Sequence, residues 1–292
     1  MISMWPQPSD PAVVLRMRAA HARACAALHL DRATGGTEAW GWNGRTLGSP
    51  VTTPDGPAWL RVATAPADQI IDTYWNGAIE AQESLPPSIP RPQLWRWHDW
   101  SDRTWAYRSE LYEYLAADTL AVHAVITPPP SVPAEWWTAV RAALAAIATI
   151  ETTRVTIQPG FLAWAKPRYL GIPATDFAAL PWTTAHGDFH FANLCAPDLH
   201  ILDWEGWGLA PAGYDAAMLH SYSLLTPDLA NRVQRELAYP LATPAGRYAE
   251  LAVITELLHA AEQGINRQLA EPLRRRAAAL LGQPTVAARE SG

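Results

Sequence analysis

Lysine is almost absent from this chain. Of its 22 basic residues only Lys166 is a lysine, so nearly every fixed positive charge is a guanidinium. Cysteine is scarce too: Cys25 and Cys195 stand far apart in the sequence, which offers no disulfide framework and fits a reducing, cytoplasmic setting. There is no run of eighteen or more apolar residues, so no segment reads as a membrane span. The opening MISMWPQPSDP lacks the basic start and apolar stretch of a secretory signal. Charged residues make up 17% and sum to a net charge of −6, with no Lys/Arg block. That excludes the electrostatic footprint a nucleic acid or an anionic membrane needs, and leaves a neutral or cationic small molecule as the easier partner.

What is present is apolar and globular, with 49% hydrophobic residues. A length of 292 residues exceeds the usual single core and favours two lobes sharing a cleft. Asp10 and Pro11 punctuate a first helix running to Leu28. From Glu38 to about Tyr114 short runs rich in Trp, Val and Thr are broken by Gly and Pro, which predicts an antiparallel sheet interrupted by one helix from Ala67 to about Glu83. After the connector ITPPPSVP the texture turns helical, with Val140, Leu144 and Ile147 on one face. Further helices are expected at Tyr214 to Leu225, Pro227 to Leu237, Ala245 to Gln263 and Glu271 to Leu281, before a frayed tail VAARESG. The expectation is an α+β protein with a sheet-rich lobe over residues 1–114 and a helical lobe over residues 115–292.

The most informative stretch runs from Trp182 to Leu225. His186, Gly187, Asp188, His190 and Asn193 follow the pattern HGDxHxxN, and Asp203 stands ten residues later in ILDWEG. Five fixed positions arise by chance in a chain this long about once in ten thousand sequences. Phosphoryl transfer from a nucleotide needs a carboxylate to orient and deprotonate the attacking hydroxyl, and Mg²⁺ to neutralise charge across the phosphates. Mg²⁺ prefers oxygen ligands and keeps several waters, so one amide and one carboxylate suffice from the protein. Asp188, Asn193 and Asp203 are such a set. The turn signal Pro197-Asp198 predicts a hairpin from Leu194 to Leu202 that returns Asp203 to the side of Asn193.

This stretch resembles the aminoglycoside phosphotransferase family, whose active-site logic is similar to that of protein kinases and of choline and fructosamine kinases. The resemblance implies a bilobal, protein-kinase-like fold that transfers the γ-phosphate of ATP, with Mg²⁺, to a hydroxyl of a small molecule: an aminoglycoside, another sugar or an amino alcohol. It implies Asp188 as catalytic base, His186 and His190 as shapers of its loop, and Asn193 and Asp203 as metal ligands. Asp215, in APAGYDAA, takes the place of a structural Asp, where helix capping or loop anchoring is the expected role. The resemblance also implies a nucleotide hinge at Glu113, Tyr114 and Leu115.

Two features depart from that pattern. The glycines of GWNGRTLG (Gly41, Gly44 and Gly48) are not spaced as G-x-G-x-x-G; Gly44 covers phosphates in one reading and closes a plain Asn43-Gly44 hairpin turn in the other. Where the family carries a strand lysine, PAWLRV has Arg61, which can grip two phosphate oxygens but with different geometry; its expected partner is Glu80 or Glu83 in the following helix. Glu250, Glu256 and Glu262 read as a solvated helix face, with attraction of amines as the other reading. Arg61 and the irregular Gly loop also motivate an alternative function: a kinase-like protein that binds without turnover, as a partner in a biosynthetic complex.

Overall fold

Asp10 and Pro11 start the first helix as their types dictate: the Asp10 carboxylate accepts the Ala12 N–H at 2.8 Å, and Pro11 takes the first helical position. The computed structural model describes residues 5–33, 36–173 and 180–282; the expected fraying of VAARESG lies outside them. The chain divides into two compact units. One is Met1–Ala124 with Ala192–Glu205, the other Val125–Phe191 with Gly206–Gly292.

In the first unit, helix α1 (Pro11–Leu28) buries Val14, Met17, His21, Ala24 and Cys25 along one stripe. They meet Leu47, Val51, Ala58, Leu60, Val62, Tyr107 and Leu111 of an antiparallel sheet. Its strands are β1 (Asp31–Arg32), β2 (Ala39–Trp40), β3 (Thr46–Thr53), β4 (Gly56–Pro66), then, after helix α2 (Asp72–Ser84), β5 (Leu94–Ser101) and β6 (Trp105–Glu113). The order is β1-β3-β4-β6-β5, with β2 also paired to β3. Because side chains alternate along a strand, Leu60 and Val62 facing α1 puts Arg61 on the opposite face. Between β2 and β3, Asn43 and Gly44 both have positive φ (50° and 71°), and the Arg45 N–H donates to the Trp42 carbonyl at 3.0 Å. This is the hairpin turn an Asn-Gly pair favours. Helix α2 starts at Asp72, five residues later than expected. The Ala67 N–H is taken by the Thr104 carbonyl at 2.9 Å and the Gln69 N–H by Pro66, so the stretch before it forms a turn instead.

Strand β7 (Asp118–Thr119) closes the first stretch of that unit. The second unit opens with helices α3 (Ala134–Ile147) and α4 (Pro159–Leu170) and strand β8 (Trp182–Ala185). The chain's lone lysine, Lys166 on α4, is buried with its ammonium 4.0 Å from the Tyr248 ring centroid, and burial lowers its pKa to about 8. From Ala192 the chain is part of the first unit again, where β9 (Cys195–Ala196) pairs with β7. Past Glu205 it rejoins the second, with β10 (Gly208–Pro211) antiparallel to β8, followed by α5 (Tyr214–Tyr222), α6 (Pro227–Glu236), α7 (Ala238–Ala242), α8 (Pro244–Glu262) and α9 (Ala270–Leu281). Helix α5 ends three residues before the expected Leu225 because Ser223 and Leu224 turn onto His220 and Ser221. Every residue of α5 is buried.

Glu250 corrects the reading of a solvated acidic face. It is 0% exposed, and its carboxylate takes both nitrogens of the Arg276 fork, at 2.6 and 2.8 Å, and His220 Nδ1 at 2.7 Å. Three helices, α5, α8 and α9, are thereby tied at one buried ion cluster. Among the described residues no helix is long and apolar enough to cross a membrane.

Candidate active site

The HGDxHxxN loop follows β8. Its start is fastened from below by Asp215, the second residue of α5, whose carboxylate oxygens accept the His186 N–H at 2.7 Å and the Gly187 N–H at 2.9 Å. Asp215 is therefore a loop anchor. Burial raises its pKa to about 6, with the nearby Asp188 charge adding and the two N–H bonds opposing. His186 is fully buried and accepts the Asp188 N–H at its Nδ1 (3.2 Å). His190, also buried, stands edge-on to Tyr222 and holds its Nε2 3.2 Å from Asp188 Oδ1. The two histidines thus brace Asp188 through its backbone and its carboxylate. The Asp188 side chain itself is 46% exposed. An accessible carboxylate held by an anchored loop can accept a proton from a hydroxyl presented to it.

A second group in the same unit feels the charge of Asp188. The Tyr214 hydroxyl donates to Glu256 of α8. Burial raises Glu256 to about pKa 7, against the Tyr214 hydrogen bond and with Asp188 adding. Asp188 also raises Tyr214 and Tyr222, secondary to burial. In the sequence Glu256 belongs to a solvated helix face with no link to Asp188; only the packing of α5 on α8 brings them into electrostatic reach.

In the first unit, Leu194 and Ile201 bridge as antiparallel partners, the Cys195 N–H donates to His200 O at 3.0 Å, and the Leu202 N–H donates to Asn193 O at 2.8 Å. Asn193 and Leu202 are thus opposite each other, and Asp203 follows directly. Asn193 is 5% exposed and the Asp203 side chain 40%. Asp203 has φ of 61°, the left-handed region in which a non-glycine residue persists only when its surroundings hold it. An amide oxygen and a carboxylate are hard donors that suit Mg²⁺ with its remaining positions left to water and phosphate. Leu115 packs with Cys195 and Leu202 of this hairpin, so one residue of the expected hinge touches the hairpin that precedes Asp203. Glu113 ends β6, its N–H donating to Gln93 O at 2.9 Å.

Arg61 lies on the same unit's sheet. Its Nη1 donates to Glu110 at 2.7 Å, its Nη2 to Glu205 at 2.6 Å, and Asp203 Oδ1 is 3.9 Å from Nη2. Burial acts against its charge, but Glu110, Glu205 and Asp203 together outweigh that and hold its pKa well above the usual value. Glu110 is its cross-strand neighbour on β6 and also accepts the Tyr112 hydroxyl at 3.0 Å. Where the sequence points to Glu80 or Glu83, these ion pairs run to carboxylates outside α2. Glu80 is half-buried one turn past Gly77, and Glu83 is exposed. Neither Glu110 nor Glu205 carries a sequence signal as a partner, since the first depends on strand register and the second on the path after Asp203. Gly44 is buried, and a side chain there would strike Pro8 and Val13 at 2.6 Å.

A family profile, described as the phosphotransferase enzyme family, matches residues 57–251. A comparison with curated protein sequences returns no match. Among solved structures, the chain is similar to a thermostable mutant of aminoglycoside phosphotransferase APH(4)-Ia in ternary complex with ADP and hygromycin B, at 13% identity over 92% of this chain and 100% of that one, with a TM-score of 0.62. It is similar also to a microcompartment-associated aminopropanol kinase, at 13% identity over 90% of this chain and 95% of that one, with a TM-score of 0.54. Likeness at this identity speaks for the fold, an antiparallel sheet followed by a helical part as in protein-kinase-like enzymes.

Proposed function

Because the chain belongs to the phosphotransferase enzyme family, we propose that it transfers the γ-phosphate of ATP to a hydroxyl of a small, freely diffusing molecule, with Asp188 as the base and Mg²⁺ held through Asn193 and Asp203. The observation that carries this reading is the state of Asp188: an accessible carboxylate on a loop whose backbone is anchored by Asp215 and whose side chain is met by His190. Such a group can orient the acceptor hydroxyl and take its proton as the phosphoryl group arrives. Bound Mg²⁺ would supply charge neutralisation across the phosphates; Asn193 and Asp203 offer it two oxygen donors. The nucleotide base would rest near Glu113 and Leu115. The acceptor would be an aminoglycoside, another sugar or an amino alcohol. A reducing cytoplasm suits the two buried thiols.

A second reading, a kinase-like protein that binds without turnover, draws on Arg61, whose guanidinium is already engaged by carboxylates. Measuring ATP consumption over a panel of amine-bearing and neutral hydroxyl compounds separates the two. With the acceptor in hand, Asp188→Asn is expected to lower kcat by about 10² to 10⁴ while leaving nucleotide binding intact. Unchanged turnover in that variant would remove the base from Asp188, and no consumption with any compound would favour the binding protein.

A further inference from the structure

The guanidinium of Arg61 stands where the resemblance implies a phosphate-gripping lysine, yet its hydrogen bonds lead elsewhere. One side of its fork goes to Glu110 at 2.7 Å, a side chain 2% exposed, and the other to Glu205 at 2.6 Å. Asp203 completes a surround of three carboxylates. Both terminal nitrogens of the fork are thus engaged by carboxylates of the protein itself.

Glu205 is held at a second point. The backbone of α2 at Gly77 lies so close to it that a Cβ there would come within 2.0 Å of the Glu205 carbonyl oxygen. The three-residue stretch Asp203, Trp204 and Glu205 is pinned at its far end by Arg61 and Gly77. At its near end the hairpin pairs Leu202 with Asn193, and the Trp204 indole N–H donates to Ile201 O at 2.8 Å. Between the two pins sits Asp203 with its left-handed φ of 61°, a conformation that its neighbours must impose.

From these contacts we propose that Arg61 is a positioning residue: through Glu205 it sets the backbone, and so the carboxylate direction, of Asp203, and it is not a ligand of the nucleotide phosphates. Glu110, buried beneath it and held also by Tyr112, is the fixed base that keeps the fork aimed at Glu205. This rests on the reading of Asp203 as a Mg²⁺ ligand and adds the device that aims it. Lysine is not equivalent to Arg61 here, because its single ammonium nitrogen would have to serve both carboxylates that the two terminal nitrogens of the planar fork reach separately.

The test is calorimetric binding of a non-hydrolysable ATP analogue to the full chain, with Mg²⁺ and with chelator, for the wild type, Arg61→Lys, Glu205→Gln and the double variant. Glu205 is partly exposed, so Glu205→Gln is the variant expected to stay folded if Arg61→Lys does not; the melting temperature of each ligand-free protein checks this. The expected result is a metal-free affinity within about twofold of wild type in all variants. The gain in affinity brought by Mg²⁺ should fall by about tenfold or more in each single variant, and the double variant should be no weaker than either. The proposal is overturned if Glu205→Gln keeps or increases the Mg²⁺-supported affinity, or if Arg61→Lys weakens metal-free binding, since Arg61 then grips phosphate and Glu205 competes with it. A wild type whose nucleotide affinity ignores Mg²⁺ overturns the reading of Asp203 and this proposal together; a wild type that responds while Glu205→Gln matches it overturns this proposal alone.

Discussion

Glu256 illustrates how much a single residue owes to its surroundings. Its folded pKa, raised to about 7 from 4.5 chiefly by burial, means that the folded chain binds this proton more tightly than the unfolded chain does. Its stabilising contribution is therefore complete below about pH 4.5 and is lost as pH rises through 7. Asp215, raised to about 6, acts in the same direction, whereas His21, which burial lowers to about 4, loses stability as pH falls from 6.5. Comparing wild type with Glu256→Gln cancels the latter two. The variant is expected to match the wild type below about pH 4 and to gain on it between pH 4.5 and 7, by up to about 3 kcal/mol. Chemical denaturation at a series of pH values measures this, and a difference that stays flat with pH contradicts it. At this scale the sequence showed the groups but not their neighbours: HGDxHxxN named Asp188 and its two histidines, while Glu256 looked like any acidic residue on a helix.

At the scale of elements, the close approach of α2 to the segment after Asp203 depends on the missing side chain of Gly77. Gly77→Ala places a Cβ within 2.0 Å of a backbone oxygen, which no rotamer change relieves, so the helix or the segment must move. A loss of about 1–3 kcal/mol is expected. Gly160 of α4 is the matched control: nothing lies within 4 Å of a Cβ there, and Gly160→Ala should be neutral or stabilise by up to about 1 kcal/mol. Equal melting temperatures for the two variants would contradict this account of α2. The elements themselves were largely readable. Asp10 with Pro11, the Asn43-Gly44 turn and the hairpin from Leu194 to Leu202 each follow from local chemistry, and each is present. The start of α2 was not readable, because the Ala67 N–H is committed to Thr104, 37 residues away in sequence.

For the whole molecule, ATP with Mg²⁺ should raise the melting temperature, by the equivalent of about 2.7 kcal/mol at a nucleotide concentration a hundredfold above Kd, and chelator should abolish most of that rise. A scan in which ATP has no effect at any magnesium concentration would speak against nucleotide use altogether. The order of sheet and helices, the family, and the motif residues were set by the sequence alone, because hydrophobic periodicity, turn chemistry and a short spaced motif are local properties of the chain. What only the tertiary structure decided is which charges meet. Arg61 finds Glu110 through strand register and Glu205 through the path after the hairpin; Glu250 finds Arg276 and His220 where three helices converge. These pairs join residues up to 144 positions apart, and the energy that selects a buried partner is the cost of leaving a charge unpaired away from water, which appears only once the chain has folded around it.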